Sequence, residues 1–546
     1  MGNELVPAQP KAVAKKKARA KKPSLNFSML SAEVSYEYAA ADAMCTRILP
    51  ENHDLHRGND FLVGLDNEIE RVLMFLEEMP VPVDLDYANK MSELQTEEVE
   101  RLKGELFNLG GRFNPNSPPQ LAEVLKRMNV PLTRRSEKSG NLSTNKKILQ
   151  GFVKEHPFIG LLFKYRNTLK GLNTYIKPFV DGGKDHCFLK YNTYVVPTGR
   201  FSSGGKNKAG YGTPFFLPVN IQSVTKPKAA LYSFAPSEDA DSILGYKFTL
   251  APKDAVPGTE IDLVEGCEPN NIRRIVRAHP DHYVLSIDYK AEEIVVAANI
   301  SNDQAFLKPL IEGRDPHKET AIAMFGVENY SKDKRKLAKA NNFGQLYLGT
   351  EKMLIEQLPE LSWEEATDII DRWRKVHHQY IEYMDQQANI ARSCGYISTL
   401  MGRIRPVSFY FDVDEGFAKR TVANHQVQGL SADILRYVLV RLFYSLFRNQ
   451  DYSSRCRFLS MVHDEINFSV TRNYREFTEI AVTTGKLMTS LPFDWALPVN
   501  KPLEVDYSVG DSWGTIFPFK LVGDRWIPKS DRFVFKDGKW HEKDKD

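Results

Sequence analysis

Two acidic positions differ from the rest of the chain in their surroundings. Asp288 closes an apolar run in YVLSIDYKAEEI, and Asp464 with Glu465 sits at a bend between the apolar arms of FLSMVHDEINFSV. A carboxylate at the end of a buried strand is poorly solvated, so it is either a turn or cap residue or a ligand for a hard cation. Magnesium suits such a pair, because it takes one or two carboxylates and keeps positions for substrate phosphates. Two ions held side by side clamp the attacking and leaving oxygens of an in-line phosphoryl displacement. Spacing alone leaves open whether the two segments meet.

Two helical stripes could serve that chemistry. In RKLAKANNFGQLYLGT, Arg335, Lys339, Phe343 and Tyr347 recur every four residues, which keeps them on one face of a helix. The cations could grip a triphosphate and the aromatics could stack on a base; the alternative is a solvated charge ladder with a core Phe. In AKRTVANHQVQGLSADIL, Arg420, Asn424 and Gln428 repeat the same spacing. Three long polar donors suit minor-groove acceptors, which A·T and G·C pairs both present, or else form an exposed polar face.

These residues need particular elements to hold them. His282 to Tyr289 reads as a short apolar strand and Arg457 to Val470 as a tight hairpin broken at His463-Asp464. Thr320 to Gly349 contains a long helical stretch, and Phe417 to Phe447 is a second long helix. Upstream, Asn67 to Glu78, Glu97 to Leu109 and Gln120 to Met128 have helical periodicity, with Ser117 placed to cap the last of them. Residues 145–177 predict a helical pair. Gly182 to Gly266 is rich in Gly, Pro, Ser, Tyr and Phe, and reads as strands with loops.

Composition excludes several classes. The 546 residues are 42% hydrophobic, enough for a sizeable core, and the net charge of +3 announces no polyanionic partner by itself. The five cysteines include no C-x-x-C pair, which argues against a zinc site and for a reducing compartment. No apolar run approaches the roughly 20 residues that span a bilayer, so a soluble intracellular protein with no membrane partner is expected.

The segments in their order resemble the three polymerase motifs of family A, the bacterial DNA polymerase I type. DYKAEE resembles the first motif, R-x-x-x-K-x-x-x-F-G-x-x-Y the second and VHDE the third. FNPNSPPQLAEVL, FKYRNTLKGLNTYI, TGRFSS, NIQ, DPHKETA, GYISTLMGRIRP, VANHQVQGLSADI and PLEVDYSVGDSW resemble further family blocks, so the likeness runs along nearly the whole chain. The resemblance implies an α+β right-hand fold: a palm built on an antiparallel sheet, helical fingers and a helical thumb. It implies a basic tail at 1–27, an exonuclease-domain remnant and linker at 28–65, and the thumb with the start of the palm at 66–185. Palm follows at 186–300 with an insertion at about 204–266, then fingers at 301–405, palm with the catalytic hairpin at 406–514 and an extension at 515–546.

The activity so implied is DNA-templated addition of dNTPs to a primer 3′ end, with two magnesium ions as cofactors. Asp288 and Asp464 resemble the metal-binding aspartates, with Glu465 and the Tyr289 carbonyl as further ligands. Lys339 and Arg335 resemble the triphosphate grip, Lys339 also as general acid for pyrophosphate. His317 resembles a phosphate contact, Phe343 and Tyr347 the frame of the nascent pair, and Glu293 a steric gate against a ribose 2′-hydroxyl. Phe rather than Tyr at 343 implies rejection of dideoxynucleotides. Arg200, Arg403, Arg420, Asn424, Gln428 and His463 resemble primer–template contacts. The chain departs from the family where S-Q-I-E-L-R usually follows the first Asp-Tyr: Lys290, Ala291, Glu292 and Val295 surround the retained Glu293. Leu348 also stands where Gly commonly follows the second-motif Tyr.

VSYEYAAADAMCTRI, at 34–48, resembles the last exonuclease motif of the family. One carboxylate motif cannot proofread, so this chain is expected to lack 3′–5′ exonuclease activity, with that function lost or supplied by a partner, as a bacteriophage with a split polymerase would have it. A helicase or processivity partner and a location in a bacterial host's cytoplasm belong to the same expectation. A single-subunit RNA polymerase shares the palm logic, but Glu293 and the HDE bend favour deoxynucleotides. A catalytically dead DNA-binding homologue would have lost an acidic ligand or the fingers Lys, and all are present.

Overall fold

The computed structural model describes residues 60–542 apart from 133, 136–139, 141, 154, 205–215, 225–230, 240–241, 252–270, 359, 449, 494–499, 530–532 and 537–538. The basic tail and the 34–48 segment therefore lie outside the described residues. The chain separates into units 1–63 and 64–546; of the first, only the start of the Asp60–Glu77 helix is described.

In EINFSVT, polar and apolar residues alternate, the pattern of a strand with unlike faces. It folds as one of three neighbouring strands: His282–Tyr289 (β1), Cys456–Val462 (β2) and Glu465–Thr471 (β3). Val505–Gly510 (β4), Ile516–Val522 (β5) and Arg525–Pro528 (β6) complete a six-stranded sheet in the order β2-β3-β1-β4-β5-β6. Every neighbouring pair in it is antiparallel.

One face of this sheet is apolar and covered by helices. Tyr283 meets Phe477 edge-on at 5.9 Å, and the Tyr289 hydroxyl donates to the Met488 carbonyl at 2.6 Å; both partners lie on the Tyr474–Thr489 helix. Phe468, opposite Leu285, lies 6.2 Å from Phe447 at the end of the long 415–447 helix. The other face carries Ser286, Asp288, Glu465, Asn467 and Asp506 in register. Because side chains alternate across a strand, the apolar face fixes which residues the opposite face displays.

Helices fill the remaining regions. Leu85–Gly110 packs against Pro157–Lys170 around Leu102, Leu106, Leu125, Ile159 and Leu162, all fully buried. The expected pair at 145–177 is in fact one short helix, Lys146–Leu149, and one long run from Pro157 through a π segment at Gly171–Ile176 to Gly182. Ser117 stands at the N-cap position as expected, but Pro118 at the first turn begins that helix without a side-chain cap bond.

Within 320–349 one helix, Pro316–Phe325, stops at Gly326 (φ 87°), and a second, Lys332–Gln345, is the long stretch expected there. The second ends at Gln345, so Tyr347 sits in the following turn and not on the helix. The 415–447 helix forms as expected, with π segments at His425–Gly429 and Phe443–Phe447.

In the Gly182–Gly266 region a hairpin, Leu231–Pro236 with Tyr246–Ala251, packs its aromatics on β5. Phe248 stacks on Phe517 at 3.9 Å, and Tyr246 and Phe248 both meet Phe519 edge-on. Phe519 pairs with Tyr507, which pairs with Ile287, so the hairpin lies on the helix-covered face.

Candidate active site

Register brings the two acidic segments together. Glu465 pairs directly with Asp288 across β3 and β1, so the two-residue turn His463-Asp464 lies beside the end of β1. Tight hairpin turns of this length need a positive φ, and His463 supplies it at 57°. Gln222 braces the turn from both ends: its Oε1 accepts from the His463 N–H at 2.8 Å and its Nε2 donates to the Met461 carbonyl at 3.2 Å. Partial burial, then the charges of Arg200 and Arg273, hold the His463 imidazole below its usual pKa.

Glu465 faces a different set of partners from those expected of a metal ligand. Its carboxylate is buried, accepts from Trp513 Nε1 at 2.6 Å and Asn467 Nδ2 at 3.0 Å, and pairs with Arg273 at 3.3 Å. Arg273 stacks 4.0 Å over the Trp513 ring and donates to the Val224 carbonyl at 3.0 Å. This buried pair anchors the floor beneath Asp288, a role for which the sequence of Arg273 gave no signal. Gln222 and Trp513 did carry one, in the NIQ and GDSW blocks, but without a function attached.

Beyond Asp288 the chain turns sharply. Ala291 adopts a left-handed conformation (φ 47°), costly for a residue with a Cβ, and starts the Glu292–Ser301 helix. The turn aims the two glutamates inward. Glu293 accepts from Arg200 Nη2 at 2.5 Å. Glu292 is buried, and that burial, followed by the charge of Asp464, pushes its carboxyl well above the usual range; Asp288 adds to the push and Arg200 opposes it. Both aspartates thus lie near one buried acid, as the strand register requires. Burial and the charge of Glu293 also raise the Tyr347 hydroxyl, which faces Glu293 and Gln428 without a hydrogen bond of good geometry to either.

On the Lys332–Gln345 helix, Lys339 and Phe343 are exposed and Arg335 half-buried, so the expected stripe is real up to Phe343. Arg335 Nε binds Asp315 at 2.6 Å, and Asp315 in turn caps the Pro316–Phe325 helix. Lys339 makes no ion pair among the described residues. His317 is buried, its Nδ1 2.9 Å from Asn342 Nδ2 and its ring 5.6 Å from Phe343. Burial lowers its pKa to about 4, with Lys339 and Arg335 adding to the effect against Asp315. Trp373 Nε1 donates to Asn342 Oδ1 at 2.6 Å, which fixes this helix against its neighbours.

Arg420, Asn424 and Gln428 form a partly open line, and every residue between them is buried, as their spacing predicts. Arg403 differs. Its guanidinium is spent on Asp66, at 2.9 and 3.1 Å, and on Asp433. Arg436 joins Asp66 at 3.0 Å and donates to the Gly199 carbonyl at 2.9 Å. Gly199 has φ 80°, and a Cβ there would stand 3.1 Å from Arg403 Nε, so glycine is required to bring Arg200 to the site. Arg403, expected to touch a duplex, is a partly buried tie between distant segments.

Among the described residues no three His, Cys, Asp or Glu side chains form a ready-made metal cage. Two half-buried aspartates with a backbone carbonyl beside them offer hard oxygen donors only, the incomplete set that leaves magnesium its substrate positions.

The family model described as DNA polymerase family A matches residues 85–208 and 257–515. DNA polymerase I, thermostable, from Thermus aquaticus is 29% identical over 473 residues, which cover 84% of this chain and 49% of that protein. DNA polymerase I from Bacillus subtilis (strain 168) is 26% identical over 500 residues, covering 88% and 49%. The chain thus spans about half the length of these relatives. A solved structure of the POL domain of Pol1 from M. smegmatis, in complex with DNA primer-template and dNTP, is similar in fold, with a TM-score of 0.64 at 22% identity over 82% of this chain and 70% of that one.

Proposed function

This chain belongs to DNA polymerase family A, and from that premise we propose that it extends a DNA primer on a DNA template by two-metal nucleotidyl transfer. The observation that carries the reading is the β1–β3 register, which sets the His463-Asp464 turn beside Asp288. The sheet serves as palm, the 85–182 helices as thumb and the 304–394 helices as fingers.

Asp288 and Asp464, with the Tyr289 carbonyl, would hold two magnesium ions, which supply activation of the primer hydroxyl and neutralisation of the leaving phosphates when bound. The protein's own part is placement and charge. Lys339 on its exposed face meets the incoming triphosphate and can give a proton to departing pyrophosphate, while Arg335 is released from Asp315 to join it. His317, neutral near pH 7, accepts from the Asn342 amide at Nδ1, so its proton sits on Nε2 and can be donated to a phosphate oxygen. Phe343 and Tyr347 frame the new pair, and Glu293 crowds the position of a 2′-hydroxyl. Arg420, Asn424 and Gln428 reach the minor groove, where shared acceptors let them sense pair geometry without reading sequence. Arg200 and His463 lie at the primer end. Glu465 acts through Arg273 to keep the floor in place.

Primer extension by the purified chain tests this reading. Incorporation of dNTPs opposite template bases is expected with magnesium and not without it. Glu293→Ala is expected to admit ribonucleotides; a variant that still excludes them would remove Glu293 from the gate.

A further inference from the structure

Behind the Arg200–Glu293 pair lies a cavity of about 10 Å³, lined in part by Arg200, Gln222, Glu292, Ser431 and His463. It is at the lower limit of what one water needs. Two side chains aim unpartnered atoms into this region. Glu292 and Ser431 are each 4% exposed, and Glu292 Oε1 and Ser431 Oγ have no hydrogen-bond partner among the described residues. An unsatisfied buried polar atom costs about 1–3 kcal/mol, so two lining one cavity call for a shared partner. Gln222 is poorly placed to be that partner, since its amide already holds the 461–463 turn at both ends. Arg200 has one terminal nitrogen on Glu293. Glu292 also stands where the family segment S-Q-I-E-L-R has an apolar residue, so this carboxyl is an addition of the chain's own sequence to a lining that otherwise falls in family-like blocks.

We propose that Glu292 and Ser431 hold one buried water between them, and that this water fixes Arg200 and thereby Glu293, making Glu292 a positioning residue for sugar selection. The water completes the bonding of two groups that the fold otherwise buries unpaired. Its third bond goes to Arg200, whose guanidinium then has a fixed plane from which to hold Glu293. The positioning role rests on the reading of Glu293 as the ribose gate; the water site does not.

A crystal structure of the chain, together with Glu292→Gln, Glu292→Ile and Ser431→Ala, tests the site. Electron density for one water within hydrogen-bond distance of Glu292 and Ser431 is expected in the parent and in Glu292→Gln, and its loss in Glu292→Ile. A parent without that water, or a water unmoved by Glu292→Ile, overturns the site. The role is read from the ratio of kcat/KM for dNTP to that for NTP. Glu292→Ile and Ser431→Ala are expected to lower this ratio about tenfold by loosening a gate contact, with kcat for dNTP little changed and Glu292→Gln restoring the parent ratio. An unchanged ratio in Glu292→Ile, while Glu293→Ala loses selectivity, overturns the positioning role. If Glu293→Ala itself keeps selectivity, the gate reading fails, and the water is judged by its density alone.

Discussion

The carboxylate end of the sheet and the aromatic seam behind it are built on opposite principles. At the first, Asp288, Glu465 and the 463–464 turn meet through strand register and charged hydrogen bonds. At the second, the 231–251 hairpin meets β5 through stacked rings, Phe248 on Phe517 at 3.9 Å. The first lies within the family match and the second joins two stretches outside it, since the match omits 209–256 and everything after 515. The carboxylate end depends on a few polar atoms held at set positions. Attachment of extra structure needs only apolar area and shape, which many residues supply. The seam is thus a way to fasten additions to the face away from the carboxylates without touching them.

Substitutions should separate the two regions. The largest effect is expected from Asp464→Ala: incorporation should fall by on the order of a thousandfold or more, while duplex binding and the melting temperature hardly move. Near-normal primer extension by this variant would show that Asp464 holds no essential ion. Arg273→Ala should show that the carboxylate end is also structural. It leaves Glu465 buried and unpaired, a loss of about 3–5 kcal/mol, read as a shift of the urea midpoint.

At the seam, Phe519→Ala removes a fully buried ring and should cost about 3–4 kcal/mol. Activity per folded molecule, measured well below the transition, should be retained. Coupling of Phe519→Ala with Phe248→Ala in a double-mutant cycle is expected at about 1 kcal/mol; strict additivity would show the seam to be passive contact.

The smallest effect concerns pH. Burial lowers the pKa of His279, His317 and His425 to about 4 each. The unfolded chain then binds more protons than the folded one between roughly pH 4 and 6.5. Stability should be full above that window and fall as pH drops through it. His317→Gln should flatten the slope in part, and a slope unchanged by all three single substitutions would contradict the burial assigned to these rings.

The differences between expectation and structure follow the same division. Stripes and strands were legible because their periods are local: Lys339 to Phe343 and Arg420 to Gln428 face outward as spacing requires, and the 282–289 strand and 456–471 hairpin form within a residue or so of their expected bounds. Tyr347 left its stripe because the helix ends at Gln345, a local event that the four-residue repeat does not report. The partners of Glu465 and Arg403 were hidden for a non-local reason. Each side chain is bound by residues far along the chain, Arg273 at a separation of 192 and Asp66 at 337, and neither partner is marked by any pattern around it.

Which atoms could do chemistry, and in what order they come, was legible before folding, because side-chain type and helical or strand period are properties of short segments. Which of those atoms stay open depends on packing between distant segments. Burial of the apolar face against the 415–447 and 474–489 helices sets the strand register, and a slip of one residue would exchange the two faces. That register places the Asp464 turn beside Asp288, commits Glu465 to Arg273 and closes Glu292 with Ser431 around one small cavity. None of these pairings exists until distant segments pack, so no reading of neighbouring residues could supply them.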